Sequence, residues 1–377
     1  MAQTSPSPGF LSLATLFGGI ASTAIARLLS YPFRSRRAPT FHKDVLYAAV
    51  RAMLYRLTIP QSRYINASTT QRHLQLCKDK GEEPKTIEVD GKDGKAVAHW
   101  LGSPDAEHVV LYAHGGGYTQ PASPGHLEYF YKLVQDMNAQ PRPSSFAVVV
   151  LAYTLAPEAR YPHQLREAAI MLSHLINDAS KSPSKILLSG DSAGGGLVFS
   201  LLSHLLHPHP HVPEVKLSAP LAGAFLYSSW VSFRTDHDSF TRNAHIDVLV
   251  PNVLRRWSAM YMSKSNDDPE TDPGPISGDS YSEPASNDPA WWHGMHRVVS
   301  NVLVWAGGDE VLVDGMRDFD RDFRKGWETG GGDAENVLFV EIPRGAHIGP
   351  ILENMISKRK ANDQMMIEEW LKARLDS

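Results

Sequence analysis

Ser192 stands between Gly190 and Gly194 in the run Leu187-Leu188-Ser189-Gly190-Asp191-Ser192-Ala193-Gly194. An apolar stretch leads into it, and helical spacing follows from Ala193 to Leu206. A serine hydroxyl becomes a nucleophile when a sharp turn lifts it out of a sheet, and small flanking residues keep that turn free of collisions. Nucleophilic attack on an acyl carbonyl needs donors for the oxyanion and a base for the serine proton. His114-Gly115-Gly116-Gly117 follows the apolar run Val109 to Ala113. The triplet Gly115, Gly116 and Gly117 with Ala193 is therefore the expected oxyanion hole, the amides of Gly116, Gly117 and Ala193 being the donors. His114 reads as a clamp for that loop rather than as a base. A base is expected late in the chain, at His347 in Arg344-Gly345-Ala346-His347-Ile348-Gly349-Pro350. The acid is expected between, in Gly307-Gly308-Asp309-Glu310-Val311-Leu312-Val313-Asp314, where Asp309 and Glu310 compete. A phosphate-binding loop is the alternative for the glycines around Ser192. The stretch has neither a Walker lysine nor a Gly-x-Gly-x-x-Gly spacing.

Such groups need a scaffold, and the hydrophobic pattern supplies one. Short apolar runs at 109–113, 146–152, 185–189, 216–226 and 302–306 alternate with helical stretches at 124–137, 163–178, 193–206 and 315–327. A further strand-like run spans Val337 to Ile342, and a hairpin is expected from Thr86 to Leu101. Continuous apolar strands separated by helices indicate an α/β fold with a mainly parallel sheet covered on both faces. Two regions interrupt the alternation. Residues 1–60 form an N-terminal helical segment, with helical spacing from Lys43 to Leu57 stopped at Ile59-Pro60. Residues 228–298 insert a helical patch, Val248 to Tyr261, and a Pro/Asp/Ser-rich run from Ser265 to Pro289. Insertions at this edge of such sheets build caps and binding walls.

HGGGY at 114–118, YTLAPEARYP at 153–162, GDSAGGG at 190–196, GGDEVLVD at 307–314 and GAHIGP at 345–350 stand in one order along the chain. The chain resembles the hormone-sensitive-lipase-type branch of the α/β-hydrolases across roughly residues 85–360, and its N-terminal helices resemble those of fungal and steryl-acetate-hydrolase-like members. The resemblance implies an α/β-hydrolase fold with a helical cap over a hydrolase domain of residues 61–377. It implies a serine esterase working through an acyl-enzyme on an apolar or polycyclic ester with a short acyl group, without metal or cofactor. The family's spacing, laid without gaps on Leu312 and Asp314, puts the acid at Glu310, while Asp309 needs a one-residue insertion. Asp191 and Asp314 read as structural, as do Pro157 and Glu158. Tyr118, Trp230, Trp257 and Tyr261 are candidates for the substrate wall, along with Phe233. An amide or lactone hydrolase on the same triad is a close alternative. A non-catalytic small-molecule receptor on this scaffold is the rival of another class, and the presence of His347 weighs against it.

Composition bounds the partners. The 377 residues are 42% hydrophobic and 21% charged, and a formal net charge of -4 gives no basic footprint for nucleic acid. Cys77 is the single cysteine, which excludes an intrachain disulfide and reads as a small buried hydrophobe. His204, His207, His209 and His211 read as a solvated helix exit rather than a metal site. Residues 10–30 are mostly apolar and followed by Arg34, Arg36 and Arg37, with no positive charge before them. Three readings stay open: a helix packed on the protein's own body, a membrane anchor, or a cleaved segment. Localisation is accordingly cytoplasmic or membrane-associated.

Overall fold

Eight strands form one sheet in the order β1-β2-β4-β3-β5-β6-β7-β8. They are β1 (Thr86–Gly91), β2 (Gly94–Leu101), β3 (His108–Ala113), β4 (Phe146–Leu151), β5 (Ile186–Asp191), β6 (Gly223–Tyr227), β7 (Val302–Gly307) and β8 (Val337–Ile342). Only β2 runs against its neighbours; β3 through β8 are parallel. The computed structural model describes residues 7–139, 145–263, 271–356, 360 and 362–375. Part of the expected Pro/Asp/Ser-rich run, residues 265–270, lies outside them.

Side-chain alternation splits the interior in two. Val109, Leu111 and Ala113 of β3 pack on one side, Val110 and Tyr112 on the other. The first side is covered by α6 (His163–Asn177), α7 (Ala193–Leu206) and α10 (Val313–Thr329), the second by α5 (Pro124–Asn138), α11 (Gly349–Ile356) and α12 (Asn362–Leu375). Both faces being covered, β3 to β7 are buried at every residue, which is why their sequences read as unbroken apolar runs. The expected strand at 216–226 shrinks to Gly223–Tyr227, because the sheet edge it would extend is met only by one bridge, Leu221 to Val299.

Ahead of the sheet lie α1 (Phe10–Ser30), α2 (Phe41–Arg56), α3 (Ile59–Ile65) and α4 (Thr69–Lys80). Ile59-Pro60 ends α2 as expected and also opens α3. Thr58 caps that helix, its hydroxyl taking the Gln61 amide while the Gln61 side chain returns to the Thr58 amide. Helix α4 has no counterpart in the sequence reading; its low apolar content hid it, and Ser68 caps it in the same reciprocal way. The insert contributes α8 (Asp238–Arg242) and α9 (Pro251–Tyr261). It meets the N-terminal helices directly: Arg256 donates to the carbonyls of Leu54, Tyr55 and Leu57, and Arg51 donates to the carbonyl of Asp247. These charged hydrogen bonds cross about 200 residues of sequence and lay both segments over the carboxyl ends of the strands.

Of the histidine cluster, His204 and His209 are buried and His207 is half-buried, while His211 is exposed as the solvated-loop reading expects. His204 Nε2 donates to the Pro213 carbonyl, His207 Nε2 to that of Trp291, and His204 Nδ1 accepts the His209 amide. Burial beside unpaired backbone groups makes these rings fasteners of the α7 exit.

Candidate active site

The turn at Ser192 is set by backbone crowding. Ser192 itself has φ 50° and ψ -119°, a conformation costly for a residue with a Cβ. Three hydrogen bonds hold it there: its amide donates to the Tyr227 carbonyl (2.9 Å), and its carbonyl accepts the amides of Trp230 (2.8 Å) and Gly196 (3.0 Å). A Cβ at Gly190 would lie 2.4 Å from the Gly194 carbonyl oxygen, and one at Gly194 only 1.9 Å from that of Ala113. Nothing larger than hydrogen fits at either position.

Asp191 joins this turn to the glycine loop. Fully buried, its carboxylate accepts the Tyr112 hydroxyl, the Gly115 amide (2.8 Å) and His126 Nε2 (3.0 Å). His126 Nδ1 accepts the Ser123 amide, so the ring proton sits on Nε2 and points at Asp191. Burial opposes the charge on Asp191, but His126, Tyr112 and the Gly115 amide together hold its carboxyl below the ordinary range. The Gly115 amide is thereby spent. Of the expected oxyanion residues, Gly115 serves the loop's attachment and cannot donate to substrate. Gly116 (φ 107°) and Gly117 (φ 60°) adopt the left-handed region, and no acceptor for their amides occurs among the described residues. Ala193 opens α7, where a helix leaves its first amides unpaired.

His114 is held at both ring nitrogens. Its Nδ1 donates to the Gly115 carbonyl and its Nε2 contacts Thr69 Oγ1, while the ring stacks on Tyr153 at 4.3 Å. Burial pushes its pKa down to about 4, keeping the ring neutral. Arg63 of α3 reaches the same loop through the carbonyls of Thr119 and Ala156 and pairs with Glu158 at 2.8 Å, which gives Glu158 its scaffold role.

His347 Nδ1 lies 2.7 Å from Glu310 Oε2. The other carboxylate oxygen accepts the Gly307 amide (2.6 Å) and the Ser228 hydroxyl (2.9 Å). Burial alone lowers the pKa of His347; the hydrogen bond and charge of Glu310 outweigh it, and the net displacement is upward. Asp309, one residue earlier, points away toward Arg344 at 3.7 Å. Asp314 accepts the Ser239 amide and the guanidinium groups of Arg242 and Arg317, fastening α8 to the start of α10.

Two contributors were invisible in the sequence. Ser228 (φ 46°) donates to Glu310 and accepts the Ile348 amide, so it spaces the acid and histidine loops. Asp247, fully buried in the insert, accepts the Val311 amide beside Glu310 at 2.7 Å. Burial raises its pKa to about 6, with the positive side of His347 opposing that rise. Neither residue belongs to a local motif; the positive φ of Ser228 has no sequence signature.

Ser192 and His347 line one cavity of about 230 Å³, together with Gly116, Val50, Met53, Leu54, Leu57, Val248, Leu249 and Trp257. The wall is largely aliphatic: α2 supplies Val50, Met53 and Leu54, the segment before α9 supplies Val248 and Leu249, and α9 itself supplies Trp257. Trp257 also packs where a Cβ on Gly117 would lie 2.0 Å from its ring, tying the cavity wall to the glycine loop. Tyr118, Trp230 and Tyr261 do not reach the cavity. Tyr118 stacks on Tyr261 (3.8 Å, 5° between rings), and Trp230 packs against Tyr118 and Phe233. Stacking on each other consumes the faces that a substrate would have used.

A family model described as an alpha/beta hydrolase fold matches residues 110–337. The chain belongs to the hormone-sensitive-lipase-type α/β-hydrolases. It is 26% identical over 259 residues to an acetyl-hydrolase of Streptomyces hygroscopicus, covering 68% of this chain and 73% of that one. It is 25% identical over 269 residues to arylacetamide deacetylase of Bos taurus, covering 68% of this chain and 62% of the bovine protein. Among solved structures, an esterase of the bacterial hormone-sensitive lipase family superimposes with a TM-score of 0.58 at 20% identity, over 97% of this chain and 99% of that one. The chain thus spans about three fifths of the bovine relative, and nearly the whole of a fold shared with the bacterial one.

Proposed function

We propose that the protein is a serine hydrolase of carboxylic esters, with Ser192 as nucleophile, His347 as base and Glu310 as acid. The observation that carries this is a single one: a serine held at φ 50° shares a cavity with a histidine whose Nδ1 is held 2.7 Å from a buried carboxylate. His347 Nε2 takes the Ser192 proton as Oγ bonds to the acyl carbon. The amides of Gly116, Gly117 and Ala193 receive the oxyanion. The alcohol leaves with the proton from His347, and water, deprotonated by the same ring, releases the acid and frees Ser192. Removal of an acyl group agrees with the names of the Streptomyces acetyl-hydrolase and the bovine arylacetamide deacetylase, the second of which names an amide and so keeps amide hydrolysis as the alternative on the same triad. The aliphatic wall favours an apolar small molecule with a short acyl group over a polar one. In this reading residues 1–60 and 228–298 act together as one cap on the hydrolase domain of residues 61–377. Residues 10–30 work at a membrane rather than in the cytoplasm, because the outward side of α1 is apolar.

Ser192→Ala should abolish turnover of p-nitrophenyl acetate, butyrate and octanoate, and with it labelling by a fluorophosphonate. An inert, unlabelled wild type would instead mean that Ser192 is not activated and that the fold serves as a receptor. Trp257→Leu opens the cavity beside the glycine loop, so the octanoate-to-acetate ratio of kcat/KM should rise, on the order of tenfold for a few methylenes newly accommodated. An unchanged ratio would confine Trp257 to packing.

A further inference from the structure

Helix α1 is the one element whose surface contradicts its surroundings. Phe10–Phe33 is long and apolar enough to cross a membrane by length and composition, yet only 11% of its apolar window is buried. Phe10 is 88% exposed, Leu11 76%, Phe17 52%, Ile25 59%, Leu29 66% and the adjoining Phe33 88%. The helix has a single charged residue, Arg27, and that side chain is buried. A helix bathed in water carries its charges outward; this one turns its charge inward and its phenylalanines out.

The inward side is fastened along its length. Arg27 makes two hydrogen bonds to Asp44 of α2 (2.5 and 2.6 Å), and Asp44 also accepts the Ala38 amide at 2.8 Å. Fifteen residues earlier, about 22 Å along the axis, Gln61 of α3 donates to the carbonyl (3.1 Å) and hydroxyl (2.9 Å) of Ser12. A helix standing across a bilayer would have to break both fastenings and carry Arg27 toward hydrocarbon, both unfavourable. The helix therefore lies along the body rather than projecting from it.

The charge beyond its end names the surface it meets. The chain has no Asp or Glu before Asp44, whereas Arg34, Arg36 and Arg37 follow α1. Arg34 is half-buried and feels the charge of Asp44, whereas Arg36 and Arg37 are exposed; Arg36 donates to the Arg242 carbonyl and the Asn243 side chain within reach of the Asp309 charge, and Arg37 donates to the Tyr31 carbonyl, a neutral acceptor. A row of exposed apolar side chains ending in two exposed arginines is complementary to lipid tails beneath anionic headgroups. Behind the row, α2 carries Ala48 and Ala52 on the crevice it shares with Thr23 of α1, and Val50, Met53, Leu54 and Leu57 on the wall of the Ser192 cavity. The thickness of α1 and α2, about 20 Å, separates the outward face from that cavity.

We propose that α1 lies flat in the interface of an anionic phospholipid bilayer, its apolar face among the acyl chains and Arg36 and Arg37 at the headgroups, so that an apolar ester reaches Ser192 from the membrane. The membrane seat stands on α1 alone; the ester's route rests on the hydrolase reading. Binding is therefore measured first with the full-length Ser192→Ala chain, which hydrolyses nothing. Sedimentation with vesicles of phosphatidylcholine and phosphatidylserine should exceed that with phosphatidylcholine alone and weaken as salt rises. The combined Phe17→Ser, Ile25→Ser, Leu29→Ser variant, altered only on the outward face, should bind on the order of tenfold less or weaker still while keeping the wild-type melting temperature. Alkaline carbonate should release the bound chain. No vesicle binding, carbonate-resistant insertion, or a dimer that the triple variant dissociates would each overturn the proposal. A wild type that binds vesicles yet hydrolyses no ester would overturn the delivery of substrate and leave the seat in place.

Discussion

Glu310→Gln should lower kcat on p-nitrophenyl acetate by about 10³–10⁴-fold, the loss seen when a triad carboxylate becomes an amide in other serine hydrolases, while Asp309→Asn should stay within about threefold. The difference follows from direction. Glu310 holds His347 Nδ1 at 2.7 Å, fixing the tautomer that leaves Nε2 free to take a proton, and Asp309 faces Arg344 on the outer side of the loop. Glutamine at 310 can still accept from Ser228 and Gly307 through its carbonyl oxygen, but its amide presents a donor to Nδ1 and favours the wrong tautomer. The pH profile supplies a second reading of the same change. His347 acts as base only when neutral, and the carboxylate raises its pKa, so the acid limb of kcat/KM in the wild type lies above the ordinary histidine value of 6.5. Without the charge of Glu310, burial dominates and the limb moves to lower pH. A crippled Asp309→Asn beside an active Glu310→Gln would reverse the assignment.

Asp191→Ala should be the most damaging change outside the triad. It strips the Gly115 amide, the Tyr112 hydroxyl and the His126 Nε2–H of their common acceptor in a site with no water exposure. Removing one partner from such a buried charged network costs about 3–5 kcal/mol, read as a melting temperature lower by several degrees. Catalysis should fall further, by about 10²-fold or more, because the glycine loop that presents Gly116 and Gly117 is fixed to Asp191 through its first residue. The pH dependence has a definite sign. The folded carboxyl is held below its ordinary 3.8, so its stabilisation is complete above that value and is lost as pH falls through the lowered one. In Asp191→Ala that acid-side loss should be smaller than in the wild type. Equal melting temperatures for the two chains at pH 7 would exclude the role.

Ser192 between two glycines, the glycine triplet after an apolar strand, the late histidine and the alternation of strands and helices were all legible in the linear chain. These are local matters. A turn that admits no Cβ at 190 and 194 writes glycine there, and a strand buried on both faces writes an apolar run. Helix α4 escaped because its face toward the body is narrow and its composition polar. The histidines at 204 and 207 were misplaced in solvent because their acceptors, the carbonyls of Pro213 and Trp291, lie 9 and 84 residues away.

The rest was decided in three dimensions. Adjacent carboxylates at 309 and 310 differ only in which way the loop after β7 points them, and that is set by Gly307, Ser228 and the histidine loop after β8, 37 residues on. The four aromatic candidates were alike in the sequence, yet only Trp257 faces the cavity, because Tyr118, Trp230 and Tyr261 satisfy one another first. The N-terminal helix meets α2 through Arg27 and Asp44 with its apolar side outward, a contact that no spacing in the sequence announces. Periodicity tells which residues share a face; the tertiary contacts alone tell what that face meets, because the free energy of burying a group belongs to both partners at once.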